Sequence, residues 1–267
     1  MSDFGPNSLA SLDGEIMLAS EAVIPVTDEG LIRGDGAFEV LRVYDGVPYG
    51  MDAHLARLAR TGETLRLPID LEAVRADSHR LLAEAGSGPD AQLLRVMITR
   101  GGRRILLTEQ MPKMPDRARL MSVTYSPTRI LDGAKSLSYA ANMLASRLAR
   151  EAGYDEALLV TPHGRVLEAP TSSLFYVLGG ELYTPPLDEH ILASITRAVV
   201  IEVSGAAERP ITLDELKTAE ELFLASTVRE VQPVCALDEQ EYFWPGPVST
   251  RTADAAAALI RAELTAG

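Results

Sequence analysis

Apolar positions along this chain change their period repeatedly, and each change marks an element. Largely apolar runs from Glu15 to Pro25 and from Ala37 to Tyr44 read as strands; Asp45-Gly46 is a turn, and Val47 to Tyr49 a further extended piece. Together they predict a β-meander. At Asp52 the spacing becomes helical, with Leu55, Leu58 and Leu65 on one face until Pro68, which cannot continue a helix. Leu71 to Ala85 repeats the helical pattern and stops at Gly86-Ser-Gly-Pro89. Leu93 to Thr99 is strand-like, Arg100-Gly-Gly-Arg-Arg104 is a loop, and Ile105 to Leu107 resumes a strand.

Two prolines within Gln110 to Asp116 forbid a continuous helix or a central strand there, and Arg119 to Tyr125 reads as one more strand closing a first domain. The expected domains are residues 1–125 and 126–267. In the second, Tyr139 to Glu151 is helical and ends at Gly153. Short strands follow at Glu156–Val160, Arg165–Glu168, Leu174–Val177 and Glu181–Tyr183. Helices are expected from Thr196 to Ser204 and from Leu213 to Ala219, then a strand at Glu221–Ala225 and a final alanine-rich helix to Leu264. Strands and helices mixed without regular alternation predict an α+β fold.

Composition narrows the function more than the fold. A formal charge of −13 and a pI near 4.8 argue against a nucleic-acid footprint, which needs clustered positive charge. No Gly-x-Gly-x-x-Gly follows a strand, and Gly34-Asp-Gly36 is too short for a dinucleotide fingerprint. His54, His79, His163 and His190 lack metal-ligand spacing, so no metal is expected. The single cysteine, Cys235, rules out an intrachain disulfide and is expected to be buried as a small hydrophobe. With no basic segment leading into an apolar run at Met1-Ser-Asp-Phe-Gly-Pro6, and no apolar stretch of the ~18 residues a membrane helix needs, a cytoplasmic protein is expected.

Only three lysines occur against 22 arginines. A primary amine can form a Schiff base with an aldehyde, which a guanidinium cannot. Lys135 lies in Gly133-Ala-Lys-Ser-Leu-Ser-Tyr-Ala-Ala-Asn142, where the plain alternative is a surface lysine near a helix start. Around it run four further motifs: Arg33-Gly-Asp-Gly-Ala-Phe-Glu39, His54-Leu-Ala-Arg-Leu58, Gly153-Tyr-Asp-Glu-Ala-Leu158 leading to Gly164-Arg-Val-Leu-Glu168 and Thr171-Ser-Ser-Leu-Phe175, and Tyr183-Thr-Pro-Pro186 with Ile191-Leu-Ala-Ser-Ile-Thr-Arg197. In this order and spacing, from about Asp28 to Pro247, the set resembles the class IV aminotransferases, the fold-type IV pyridoxal 5'-phosphate (PLP) enzymes.

The resemblance implies two α/β domains with the cofactor site between them, and a homodimer. It implies that Lys135 holds PLP as an internal aldimine and then shuttles a proton, that Glu168 pairs with the pyridine nitrogen, and that Arg57, Ile195, Thr196 and Thr227 bind the phosphate. Tyr139 is either a cofactor contact or a core residue. The chain departs from the family pattern at Ala169, at Ser173 or Leu174, and at Ser194, where Gly, Asn and Gly are usual. Arg33, Arg100, Arg103 and Arg104 are candidates to grip a substrate carboxylate, or else are ordinary surface charges; Glu39 is placed with the substrate residues. The Phe38-Glu-Val-Leu-Arg42 run resembles transaminases, acting on an amino donor and a 2-oxo acid. The alternatives are 4-amino-4-deoxychorismate lyase, releasing pyruvate and 4-aminobenzoate, and a non-catalytic PLP carrier.

Overall fold

A computed structural model describes residues 4–266. Backbone contacts divide it into two compact units, one of residues up to Lys113 together with Gly133–Tyr139, the other of Met114–Asp132 and Ala140 onward.

The first unit opens on a hairpin of β1 (Leu9–Leu12) and β2 (Glu15–Leu18). Its turn residues Asp13 and Gly14 both have positive φ, as the tight turns that match strand twist require. The expected strand from Glu15 therefore ends at Leu18, and the short partner Leu9–Leu12 was not anticipated. Asp28 caps α1 (Glu29–Arg33), its Oδ1 accepting from Gly30 N at 2.7 Å. Then come β3 (Gly36–Tyr44), β4 (Val47–Pro48), α2 (Met51–Leu65), α3 (Leu71–Ala85), β5 (Leu93–Thr99) and β6 (Arg104–Glu109). The sheet runs β2-β1-β6-β5-β3-β4, antiparallel throughout. Leu55 and Leu58 of α2, Val74 and Leu81 of α3, and Leu41, Leu94 and Leu106 of the sheet form its core.

The second unit begins with β7 (Ala118–Thr124), α4 (Ala140–Glu151), β8 (Glu156–Val160), β9 (Ser173–Leu178), β10 (Glu181–Thr184), α5 (Ile195–Ser204) and β11 (Ala207–Glu208). It ends with α6 (Leu213–Leu216), β12 (Glu221–Ser226), β13 (Glu230–Leu237), β14 (Gln240–Glu241) and α7 (Pro247–Ala266). Its mixed sheet is ordered β11-β10-β9-β12-β13-β7-β8, with β14 on β13; β7 lies parallel to both β13 and β8. Leu120, Leu158, Leu174, Tyr176, Leu222 and Leu224 build its largest core cluster.

Three expectations differ from this arrangement. The boundary at residue 125 moves, because β7 pairs only within the second sheet and Gly133–Tyr139 attaches to the first unit. Lys135 therefore belongs to the first unit rather than the second. Arg165–Glu168 forms isolated bridges, Val166 to Val160 and Arg165 to Thr212, instead of a strand. Cys235, on β13, is half-buried rather than buried.

Candidate active site

In the first unit the site is built on the start of β3. Phe38 N donates to Lys135 O at 2.9 Å and Leu137 N to Gly36 O at 2.8 Å, so the lysine segment lies against the strand like one more short strand. Such closeness explains Gly36: a Cβ there would stand 2.4 Å from Ile98 O and 2.6 Å from Leu137 Cδ1, distances no side chain tolerates. Gly34 turns the chain into β3 at φ +66°, in the left-handed region. Lys135 N also donates to Thr61 Oγ1 of α2 at 3.1 Å. The amine sits 4.4 Å from the Phe38 ring centroid and 5.8 Å from that of Tyr139, and those two rings meet edge to face at 5.3 Å.

One face of α2 turns His54 and Arg57, three residues apart, toward β3 along with Leu55 and Leu58. Glu39 meets both. Arg57 Nε donates to Oε1 at 2.7 Å and Nη2 to Oε2 at 2.5 Å, a bidentate pair, while His54 Nδ1 donates to Oε2 at 2.8 Å. Glu39, His54 and Arg57 are all buried. Burial alone would raise the Glu39 carboxyl, but hydrogen bonds from Arg57 and His54 outweigh it and hold the pKa at about 2. His54 moves down, driven by burial and by the charges of Arg57 and Lys135 against the pull of Glu39. A neutral imidazole facing a carboxylate must carry its proton on Nδ1.

Both oxygens of Glu39, expected among the substrate residues, accept from Arg57 and His54. The arginines of the β5–β6 loop are likewise engaged. Arg103 Nη1 donates to Asp13 at 2.6 Å, Arg104 Nε to the buried Asp77 at 2.6 Å, and Arg100 to Asp35 and to the carbonyls of Leu65 and Arg66 at the end of α2. Arg33, exposed in the last turn of α1, has no ion pair among the described residues.

The second unit carries the other expected residues. Glu168 Oε1 accepts from Leu192 N at 3.0 Å, and the half-buried Tyr125 is raised by burial and by the negative charge of Glu168. Beyond Glu168 the chain makes a tight turn in which Ala169 and Ser172 bond reciprocally. The Ser172 and Ser173 hydroxyls are buried and have no hydrogen-bond partner among the described residues. Ser194, the residue that departs from the usual glycine, caps α5: its Oγ accepts from Arg197 N at 3.2 Å. Ile195 and Thr196 open that helix, whose first amides have no intrahelical acceptor and whose dipole favours an anion. Thr227 lies in the β12–β13 turn.

Several neighbours were not singled out from the sequence: Phe38 and Thr61 beside Lys135, Tyr125 beside Glu168, and the pairing of His54 with Glu39. Only His54 left a signal, its helical spacing from Arg57.

Comparison with known proteins gives the family. Residues 36–237 match the model of the family described as amino-transferase class IV. A putative branched-chain-amino-acid aminotransferase of Methanocaldococcus jannaschii is 34% identical over 250 residues, covering 85% of this chain and 87% of the relative. A D-alanine aminotransferase of Bacillus licheniformis is 29% identical over 261 residues, covering 89% and 92%. A fold IV-transaminase from Curtobacterium pusillum superposes with a TM-score of 0.83 at 30% identity, covering 95% of this chain and 99% of the other. The family match and the likeness of fold place the chain among the fold-type IV, PLP-dependent transaminases. The chain belongs to the class IV aminotransferase family.

Proposed function

We propose that this transaminase exchanges an amino group between an amino acid or amine and a 2-oxo acid, with Lys135 as the amine that holds the cofactor and carries the proton. The setting of Lys135 supports this reading most strongly: its backbone is locked onto β3 and Thr61, and its amine lies beside the two rings of Phe38 and Tyr139. Lys217, by contrast, spends its amine on Asp238 at 3.4 Å with its side chain 37% exposed.

The residues present suit PLP. When bound, it supplies an aldehyde that condenses with a primary amine, a ring that withdraws electrons from the reacting carbon, and a dianionic phosphate as a handle. Arg57, already oriented by Glu39, would bind the phosphate, with the Ile195 and Thr196 amides and the Thr227 hydroxyl as further donors. Glu168, with one oxygen held by Leu192 N, would keep a proton on the ring nitrogen, because a fixed anion favours the charged form of its partner. The orphaned hydroxyls of Ser172 and Ser173, just past Glu168, are the kind of buried group that a polar ligand satisfies. Lys135 would take the proton from the substrate carbon and return it at the far end of the exchange, with the Phe38 and Tyr139 rings flanking the amine. Arg33, without an ion pair among the described residues, would receive the substrate carboxylate. A homodimer and a cytoplasmic location complete the proposal.

The test is absorbance in the band of lysine-bound PLP, present in the wild type and lost in Lys135→Ala. Bleaching of that band by D-amino acids, L-amino acids and (R)-amines, each with a 2-oxo acid to restore it, identifies the donor. Turnover of aminodeoxychorismate without such bleaching would instead establish the lyase. A wild-type protein that takes up no PLP would sink both.

A further inference from the structure

Strands β12 and β13 are joined by Thr227-Val228-Arg229, with Ser226 and Glu230 as the last paired residues. A surface hairpin of this length needs no buried charge, yet Arg229 turns inward. Its Nη2 donates to Glu156 Oε2 at 2.9 Å and its Nη1 to Gln232 Oε1, while its backbone N donates to Ser226 Oγ at 3.2 Å. The Arg229 and Glu156 side chains are only 6% and 3% exposed. Glu156 Oε1 accepts from Ser146 Oγ at 2.6 Å and from Ala157 N at 3.1 Å, and Gln232 Nε2 donates to Pro115 O at 2.5 Å. Side chains from α4, β8 and β13 thus converge on one turn.

Stability is a weak reason for such a group, since apolar residues of equal volume often replace a buried ion pair with no loss, or a gain of about 1–4 kcal/mol. Geometry is a better one. Glu230, next to Arg229, has φ +52°, a left-handed conformation that costs a non-glycine residue about 1–3 kcal/mol and persists only where the surroundings over-determine it. The inward anchor of Arg229 supplies that determination at one end of the turn, and Thr227 stands at the other.

We propose that the Glu156–Arg229 pair is a positioning device that holds the Thr227 turn in the conformation that receives the cofactor phosphate, which rests on the phosphate role given to Thr227 above. Neither residue touches the reacting atoms. Two consequences separate this role from a structural one: the effect is specific to the phosphate, and it survives when the pair is replaced by something equally well packed.

The test titrates the full-length apoprotein with PLP and with pyridoxal, which lacks the phosphate, following absorbance or fluorescence. In the double variant Glu156→Met/Arg229→Met, the Kd for PLP rises about tenfold or more, the worth of one well-aligned hydrogen bond to a charged group. The Kd for pyridoxal stays put and Tm is unchanged or higher. If the double variant does not fold, Glu156→Gln carries the same comparison, because the amide oxygen still accepts from Ser146 while the charge is gone. An unchanged PLP Kd, or an equal loss for both ligands, overturns the proposal. Thr227→Val is run alongside: if it fails to separate PLP from pyridoxal, the phosphate role of Thr227 is itself wrong. If it separates them and the pair variants do not, only the positioning role falls.

Discussion

Each unit contains a guanidinium–glutamate pair with both side chains buried, Arg57 with Glu39 and Arg229 with Glu156, and the two are finished differently. In the first, Glu39 receives both Nε and Nη2 of Arg57 and adds His54, so the carboxylate is saturated by groups from a single helix face. In the second, Glu156 receives one arginine nitrogen, and neutral groups from Ser146 and Gln232 complete the network. The first arrangement orients a side chain; the second orients a stretch of backbone. In the phosphate roles proposed above, recognition by the Arg57 guanidinium depends on fork geometry and recognition through the Thr227 hydroxyl on main-chain conformation, so each unit would use its buried charge on a different variable.

Removing the anion should expose this difference most. Glu39→Ala leaves Arg57 buried with both its bidentate contacts gone, and a stability loss of about 3–5 kcal/mol is expected. Glu156→Ala also strands a buried arginine, but Gln232 still accepts from Arg229, so its loss should fall at or below the lower end of that range. Denaturant unfolding of both variants measures the gap. A larger loss for Glu156→Ala would break the comparison.

Acid probes the first pair next. The Glu39 carboxyl sits at about 2 in the folded protein against 4.5 for the free group. Its contribution is therefore complete above pH 4.5 and is lost as pH falls toward 2, roughly 3 kcal/mol in all. His54 is depressed below 6.5, so the unfolded chain takes up its proton first and stability declines as pH drops below 6.5. Tm against pH should fall in two stages on the acid side. His54→Asn removes the upper stage and, by leaving Oε2 with one fewer donor, costs about 1–2 kcal/mol near neutrality. A profile identical to wild type in that variant would show that His54 does not titrate with unfolding.

How far these features were visible in the sequence depended on whether they were local. Leu71–Ala85 was read to the residue, because its helical stripe and the Gly86 that stops it are contiguous in the sequence. Arg57 was placed on a buried face by its neighbours Leu55 and Leu58. The partner of Glu39 was not legible, since a strand position tells which face a side chain takes and nothing about the helix opposite. Glu156 and Arg229 lie 73 residues apart, and no local pattern links them. The hairpin from Leu9 to Leu18 was half missed because a four-residue strand is too short to show alternation.

The smallest expected effect belongs to the exposed pair of Arg103 and Asp13. Their side chains are 38% and 35% exposed, and such surface pairs contribute about 0–1 kcal/mol. Asp13 is nevertheless well served: burial pushes its carboxyl up, but Arg104 N and Arg103 draw it below the ordinary value. Arg103→Gln should lower stability by less than about 1 kcal/mol, a baseline against which the two buried pairs can be read. The same variant decides whether Arg103 also serves the substrate. With the guanidinium committed to Asp13, KM for the 2-oxo acid should change less than twofold, whereas loss of a bidentate contact to a substrate carboxylate would raise it by about tenfold or more. A large KM rise without a Tm change would mean that Arg103 leaves Asp13 when substrate arrives and shares the carboxylate task proposed above for Arg33.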